Sequence, residues 1–179
     1  MSAKCKQCKA PAEIKTPVGS FCSYQHAFDY ARVKQEQARK RKEVKDNRLH
    51  RARKESLKTR SKWLGELQTL VNRFVRIRDA QKNCISCNSQ LGAKYDAGHY
   101  RSVGAHPELR FCEKNIHAQC VRCNQHLSGN LINYRNGLKL RLTHAELEWL
   151  EGPHEPLKLS IEEIKEMKKV YQAKIKNFH

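Results

Sequence analysis

The chain has 179 residues and a mass of 20.9 kDa, with 36 Lys and Arg against 18 Asp and Glu, a formal charge of +18. Hydrophobic residues make up 39%, below the roughly 45–50% of an ordinary globular domain, which argues against one large core filling the chain. No run of about 18 apolar residues exists, which excludes a transmembrane helix, and the opening MSAKCKQCKAPAEIK lacks the apolar stretch of a signal peptide.

These features predict a protein of the cell interior, where thiols stay reduced and disulfides are rare. Eight cysteines in that setting point to metal ligation. The excess of basic residues points to a polyanionic partner, most simply nucleic acid.

Residues 1–30 carry Cys5-x2-Cys8-x13-Cys22-x3-His26. A Cys-x-x-Cys knuckle puts two thiolates on one metal, and a second pair of ligands completes a tetrahedron. His26 is the histidine near these cysteines, and Cys-x3-His suits the first turn of a helix starting near Ser23. A module under about 40 residues needs a metal or disulfides to fold, so this segment is predicted to be a zinc finger.

Residues 31–61 form a basic arm. Arg32 to Lys62 hold 14 Lys or Arg and 4 acids, so +10 of the +18 lies here. The stretch has no Gly or Pro and is rich in helix formers, with Val33, Val44, Leu49 and Leu57 too sparse to make a stripe. Two readings stand: an exposed helix that stiffens on DNA, or a solvated linker.

The pattern then changes. Trp63, Leu64, Leu67, Leu70, Val71, Phe74 and Val75 recur at helical spacing and predict an amphipathic helix from about Lys62 to Ala80, with Arg73, Arg76 and Arg78 on its other face. A second metal set follows, Cys84-x2-Cys87-x32-Cys120-x2-Cys123. Four thiolates select zinc and leave no open position, so such a site holds a fold together and does not catalyse. Cys112 is left over and reads as a small apolar residue. Toward the C-terminus, Thr143–Glu146 and Ser160–Glu163 read as capping boxes. The first opens a short helix through Leu150. The second opens a helix with Ile161, Ile164, Met167, Val170, Tyr171, Ile175 and Phe178 on one side.

The chemistry is expected between the central knuckles. Tyr95-Asp96-Ala97-Gly98-His99-Tyr100 follows the first pair, Asn115-Ile116-His117-Ala118-Gln119 leads into the second, and Asn124-Gln125-His126 opens what should be a helix. A β-hairpin would present His99 and Asn115, and the helix would present Asn124 to the same cleft. A histidine, a loop-fixing asparagine and a helix asparagine stapled by a four-cysteine zinc make the ββα-metal (HNH, His-Me finger) nuclease constellation. Phosphodiester hydrolysis needs a base for water and a cation on the leaving oxygen. His99, titrating near neutrality, suits the base, and the alternative is a core histidine bonded to a backbone carbonyl. Asn124 offers an oxygen to Mg²⁺, which keeps most of its waters, or simply caps the helix. His117 and His126 could assist phosphate binding or simply pack, and Arg101, Arg110 and Arg122 could clamp phosphates.

The run DAGHYRSVGAHPELRFCEKNIHAQCVRCNQHLSGNLINYR resembles the core of the NinG (Rap) recombination endonucleases of lambdoid phages. The resemblance covers most of the chain: the N-terminal Cys finger, the basic middle, the NCISC knuckle and the C-terminal helix. It implies a nuclease acting on branched recombination intermediates, Holliday junctions and D-loops, in phage recombination. By motif position it makes His99 the catalytic histidine, Asn115 the middle asparagine and Asn124 the metal-binding residue. Many HNH nucleases carry Asp or His directly before the base as a second metal ligand; here that residue is Gly98, and Asp96 is the nearest acid.

The expected protein is thus a small zinc-stabilised α+β protein. Residues 62–179 form an HNH-type nuclease domain with flanking helices and a core at 83–137. The expected activity is Mg²⁺-dependent, structure-selective DNA cleavage, with two structural zincs and with Mn²⁺ able to replace Mg²⁺. His99 deprotonates water, Asn124 holds the metal, and Asp96 is a candidate second ligand. DNA is the expected partner, in the host cytoplasm. A two-fold junction suits a homodimer, and other phage recombination proteins are further partners. The rival expectation is a non-catalytic zinc-finger binder that recruits recombination proteins. RNA binding is the third; the 7% aromatic content and absence of a stacking motif count against it.

Overall fold

A computed structural model describes residues 3–178, which part between Lys58 and Thr59 into two compact units. Among the described residues no helix is long and apolar enough to cross a membrane.

The first unit is a hairpin and one long helix. Strands β1 (Ile14–Thr16) and β2 (Gly19–Phe21) pair antiparallel, Ile14 opposite Phe21. Gly19 closes the turn at φ +143, a conformation that excludes a side chain. Helix α1 (Tyr24–Ser56) starts at Ser23, whose hydroxyl accepts from the His26 N–H. The basic arm is therefore helical and continuous with the finger. It begins eight residues before Arg32 and ends before Lys62, because Leu57 caps α1 and Thr59 caps the next helix. Its 33 residues span about 50 Å. No residue of α1 is buried.

The second unit is built around another hairpin. Helix α2 (Arg60–Arg78) buries Trp63, Leu67, Val71, Phe74 and Val75. Strands β3 (Tyr95–His99) and β4 (Ile116–Cys120) pair antiparallel, with Asp96 opposite Gln119 and His99 opposite Ile116. Helices α3 (Leu131–Lys139), α4 (His144–Glu151) and α5 (Ile161–Lys176) follow. Both expected capping boxes form, at Thr143–Glu146 and Ser160–Glu163.

Two apolar clusters clasp the hairpin. On one side α2 meets Ile164, Tyr171 and Ile175 of α5, with Phe111, Ile116 and Ala97 against them. On the other, Ile85, Leu109, Tyr134, Leu138, Leu147 and Leu150 pack together, and the Tyr134 hydroxyl donates to the Gly98 carbonyl at 2.8 Å. Helix α3 comes so close that a Cβ on Gly137 would strike the Ile85 carbonyl.

Three expectations need correcting. The face of α5 is narrower than its apolar pattern: Val170 and Phe178 are 52% and 53% exposed, since Ile164, Tyr171 and Ile175 already fill the groove. The helix after Cys123 is not one helix. Arg122–His126 makes a single π-helical turn, and left-handed Asn130 (φ 46) separates it from α3. Arg78 does not join Arg73 and Arg76 on the outer face of α2. It turns inward to Asp79, a fully buried acid that nothing in the local pattern announces. Asp79 also accepts from Lys82 at 2.8 Å and from the Ala118 N–H at 3.1 Å, tying the end of α2 to β4. Burial works to raise its pKa, but hydrogen bonds from His117, Arg78 and Lys82 hold it far below the carboxylate range.

Candidate metal centres and hairpin site

The two cysteine knuckles are the same turn used twice. After Cys5-x2-Cys8, Lys9 sits at φ 67 and its N–H donates to the Cys5 carbonyl at 2.9 Å. After Cys84-x2-Cys87, Asn88 sits at φ 55 and bonds the Cys84 carbonyl at 2.9 Å. In each case the tight turn aims two thiols at one point.

The partners expected from the spacing complete both sets. The ligand atoms of Cys5, Cys8, Cys22 and His26 lie within 4.8 Å of one another, as do those of Cys84, Cys87, Cys120 and Cys123. His26 presents Nδ1, 3.0 Å from Cys22 Sγ. The Cys8–Cys22 and Cys87–Cys120 sulfur pairs stand 3.5 and 3.8 Å apart, near the edge of about 3.8 Å that a tetrahedron with Zn–S bonds of about 2.3 Å requires. Backbone N–H groups of Cys120 and Cys123 point at Cys84 Sγ and Cys120 Sγ, which favours thiolates. Both groups could hold zinc, and both would be closed sites.

The hairpin carries the other candidate residues. Strand alternation puts Tyr95, Ala97 and His99 on the α2 face of β3, and Asp96 and Gly98 on the opposite face. His99 is half-buried. Its Nε2 lies 3.0 Å from the Arg110 carbonyl, which can only accept, so the proton sits on Nε2 and Nδ1 keeps its lone pair. Burial holds the His99 pKa below the ordinary 6.5; the Arg110 carbonyl pulls against this and the Arg110 charge acts with it. The ring is neutral at neutral pH and able to accept a proton.

On the opposite face an oxygen cluster forms. Asp96 Oδ2 accepts from Asn124 Nδ2 at 2.9 Å and from Gln125 Nε2 at 2.8 Å. Asn124 therefore turns its amide oxygen away from Asp96, toward Gly98: a Cβ there would stand 3.1 Å from it. The same Cβ would collide with Gln119 Oε1. Gln119 is fully buried, and its Nε2 is spent on Ser86 Oγ at 2.7 Å and the Gly129 carbonyl at 2.6 Å. Its Oε1 has no hydrogen-bond partner. A carboxylate, an amide oxygen and an orphaned amide oxygen, around a glycine that keeps the space clear, form a donor set of the kind a hard divalent cation takes.

Asn115 is fully buried and its side chain bonds backbone: Oδ1 accepts from the Arg101 N–H, and Nδ2 donates to the Arg101 and Leu109 carbonyls. It fixes the loop between β3 and β4.

The remaining candidates divide. Arg122 and His126 are exposed on the π turn. Arg110 is half-buried, its Nε on Gln68 Oε1 at 3.0 Å. Arg101 is committed to the fold, with NH2 on the Glu151 carbonyl and NH1 on His106. His117 is buried beside Asp79 and bonded to the Lys114 carbonyl. Cys112 packs against the second apolar cluster. Sequence reasoning does not find Gln119, because its place opposite Asp96 exists only once β3 and β4 have paired.

A family model described as bacteriophage Lambda NinG protein matches residues 1–179. The NinG proteins of Escherichia phage lambda and Salmonella phage P22 are each 48% identical over 125 residues, 70% of this chain. NinG of Escherichia phage 933W is 46% identical over the same length. The match spans 61 to 62% of the length of these relatives. No solved structure matches.

Proposed function

The chain belongs to the family of the bacteriophage lambda NinG protein, and we propose that it is a metal-dependent, structure-selective DNA endonuclease of the ββα-metal (HNH) type. The substrates are branched recombination intermediates, Holliday junctions and D-loops, in the host cytoplasm. The observation that carries this reading is His99: a neutral imidazole with Nε2 bonded, next along β3 to Gly98, about whose opposite face the oxygens of Asn124 and Gln119 gather with Asp96.

β3 is one edge of a two-stranded sheet, so a phosphodiester laid along it meets His99 on one side and the oxygen cluster on the other. His99 Nδ1 takes a proton from water as that water attacks phosphorus in line. The bond from phosphorus to the 3′ oxygen breaks, leaving 5′-phosphate and 3′-hydroxyl ends. Asn124 and Asp96, with Gln119 behind them, would hold Mg²⁺, which supplies positive charge at the departing oxygen. Asn115 keeps the β3–β4 loop in register. The two zincs only shape the fold. The finger and α1 supply affinity, and paired cuts across a two-fold junction suit a homodimer. Other phage recombination proteins are candidate partners.

The test is cleavage of four-way-junction and linear DNA by the zinc-loaded protein with and without Mg²⁺. His99→Ala should retain zinc, fold and DNA binding and lose about 10²–10⁴-fold in rate. Asn124→Ala should lose cleavage too, with partial rescue by Mn²⁺, which takes the same oxygen ligands. Junction cleavage by His99→Ala at the wild-type rate would sink the reading and favour a non-catalytic binder that recruits recombination proteins.

A further inference from the structure

The α2 face of the hairpin holds a second feature besides His99. Arg73, Arg76 and Ile77 of α2 and Lys94 and Tyr95 beside β3 line an open groove of about 550 Å³. Its lining carries three cations and no acid. Arg73 and Lys94 are exposed and Arg76 is half-buried. Among the described residues none of the three has an ion-pair partner, whereas the neighbouring Arg78 is spent on Asp79. Three cations without an acid at one groove, beside an Arg78 that α2 turns inward to Asp79, offer a place for an anion from outside.

The placement relative to His99 can be read twice. The Tyr95 hydroxyl donates to the Arg76 carbonyl at 2.9 Å, fixing the groove end of β3 to α2. At the other end, His99 bonds the Arg110 carbonyl, and Arg110 bonds Gln68 of α2. Along β3, Tyr95 to His99 is four residues, about 13 Å. Along α2, Gln68 to Arg76 is eight residues, about 12 Å. Both elements put the groove the same distance from His99, on the same face, and that distance is about two phosphate-to-phosphate steps along one strand of B-form DNA.

We infer that this groove is a phosphate track: Arg73, Arg76 and Lys94 bind the DNA backbone about two nucleotides to one side of the phosphate that His99 faces. The inference rests on the endonuclease reading for that reference phosphate. The groove holds the arm leading away from the cut, with Tyr95 as its apolar floor. DNA is the occupant because the lining offers point charges and one tyrosine, and no row of aromatics on which splayed RNA bases would stack.

The test uses the full zinc-loaded chain, with Arg73→Gln, Arg76→Gln and Lys94→Gln combined, and measures binding without added divalent cation, so that cleavage plays no part. The slope of log K against log[salt] on duplex and junction DNA should fall by about 2–3, since each phosphate contact contributes about 0.9. Ethylation of phosphates about two nucleotides to one side of the cut should weaken wild-type binding and leave the triple variant indifferent. Zinc content and melting should not change, and hydrolysis of bis(p-nitrophenyl) phosphate, which has no flanking phosphates, should proceed at the wild-type rate. An unchanged salt slope in a folded variant overturns the track. A slope change confined to duplex RNA overturns DNA as its occupant. If wild-type protein binds with the expected slope but hydrolyses neither substrate, the nuclease reading fails while the groove stands as a backbone site.

Discussion

Helices α1 and α2 are both long and both basic, and they use charge in opposite ways. Helix α1 lays 11 Lys and Arg over 33 residues with none of its side chains buried. Helix α2 carries 5 over 19 residues, buries five apolar side chains, and folds one arginine inward onto a fully buried aspartate. What separates them is the apolar stripe. Helix α2 has one at helical spacing and gains a partner in α5. Helix α1 has none, and it is tethered only in its first two turns, by His26 in the cysteine cluster and by Tyr30 against Phe21. A basic sequence therefore does not reveal where its charge points until the apolar residues beside it are read.

The comparison breaks most visibly when zinc is removed. Apart from Cys5, Phe21 is the one buried hydrophobic residue described in the first unit, so zinc bound by Cys5, Cys8, Cys22 and His26 would supply most of its folding free energy, about 10–16 kcal/mol for sites of this kind. Cys22→Ser should abolish the β1–β2 hairpin and most α1 helicity, because an isolated polar helix is marginal in water. Trp63, buried in the second unit, should keep its native fluorescence. Cys120→Ser should do the converse, disrupting the β3–β4 hairpin while the finger persists. Elemental analysis should give two zincs in the wild type and one in each variant. Loss of native Trp63 fluorescence in Cys22→Ser would mean the units do not fold independently.

A smaller effect separates buried from exposed ion pairs. Asp79→Ala leaves Arg78 and Lys82 facing an empty site and strips the Ala118 N–H of its acceptor. Removing one partner of a buried charge cluster costs about 3–5 kcal/mol, and urea unfolding should show it. Glu36→Gln removes the Glu36–Lys40 pair of α1, 2.8 Å apart but exposed on both sides. It should leave stability unchanged within error.

What was legible in the sequence follows the same divide. Periodic and covalent signals were readable: the stripe of α2, the caps Thr143 and Ser160, and both cysteine sets including His26. Polar residues that act only after the chain has folded were not. Asp79 and Gln119 are buried by elements distant in sequence, and no local pattern marks them. The π turn and its break at Asn130 were missed because Asn124–His126 reads as an ordinary helix start. Arg101 and Arg78 were read as surface cations because a guanidinium looks the same in sequence whether it meets phosphate or a buried carbonyl.

The charge on α1 can be weighed directly. Replacing Arg39, Lys40, Arg41 and Lys42 by Gln keeps helix propensity and removes four exposed cations. If α1 lies on DNA, the salt slope of binding should fall by about 3–4. If α1 is a spacer, the slope should stay at the wild-type value while the groove variants still change it.

The smallest effect is one of pH, and it tests whether burial in the second unit sets the chemistry of His99. Burial lowers the His99 pKa below 6.5, so the proton is lost earlier than from a free imidazole. A base works in its unprotonated form. Junction cleavage at limiting substrate should therefore be at its plateau by neutral pH. It should fall about tenfold per unit only below a midpoint that itself lies under 6.5. The sign follows from the environment: desolvation penalises the imidazolium, and no carboxylate contacts His99 to offset it among the described residues. Arg110→Gln should raise the midpoint, because it removes a positive charge that disfavours protonation and leaves the carbonyl that bonds Nε2. A midpoint above 6.5 in the wild type would require an acidic partner for His99, or a different residue as base. An unshifted midpoint in Arg110→Gln would leave burial alone in control of the base.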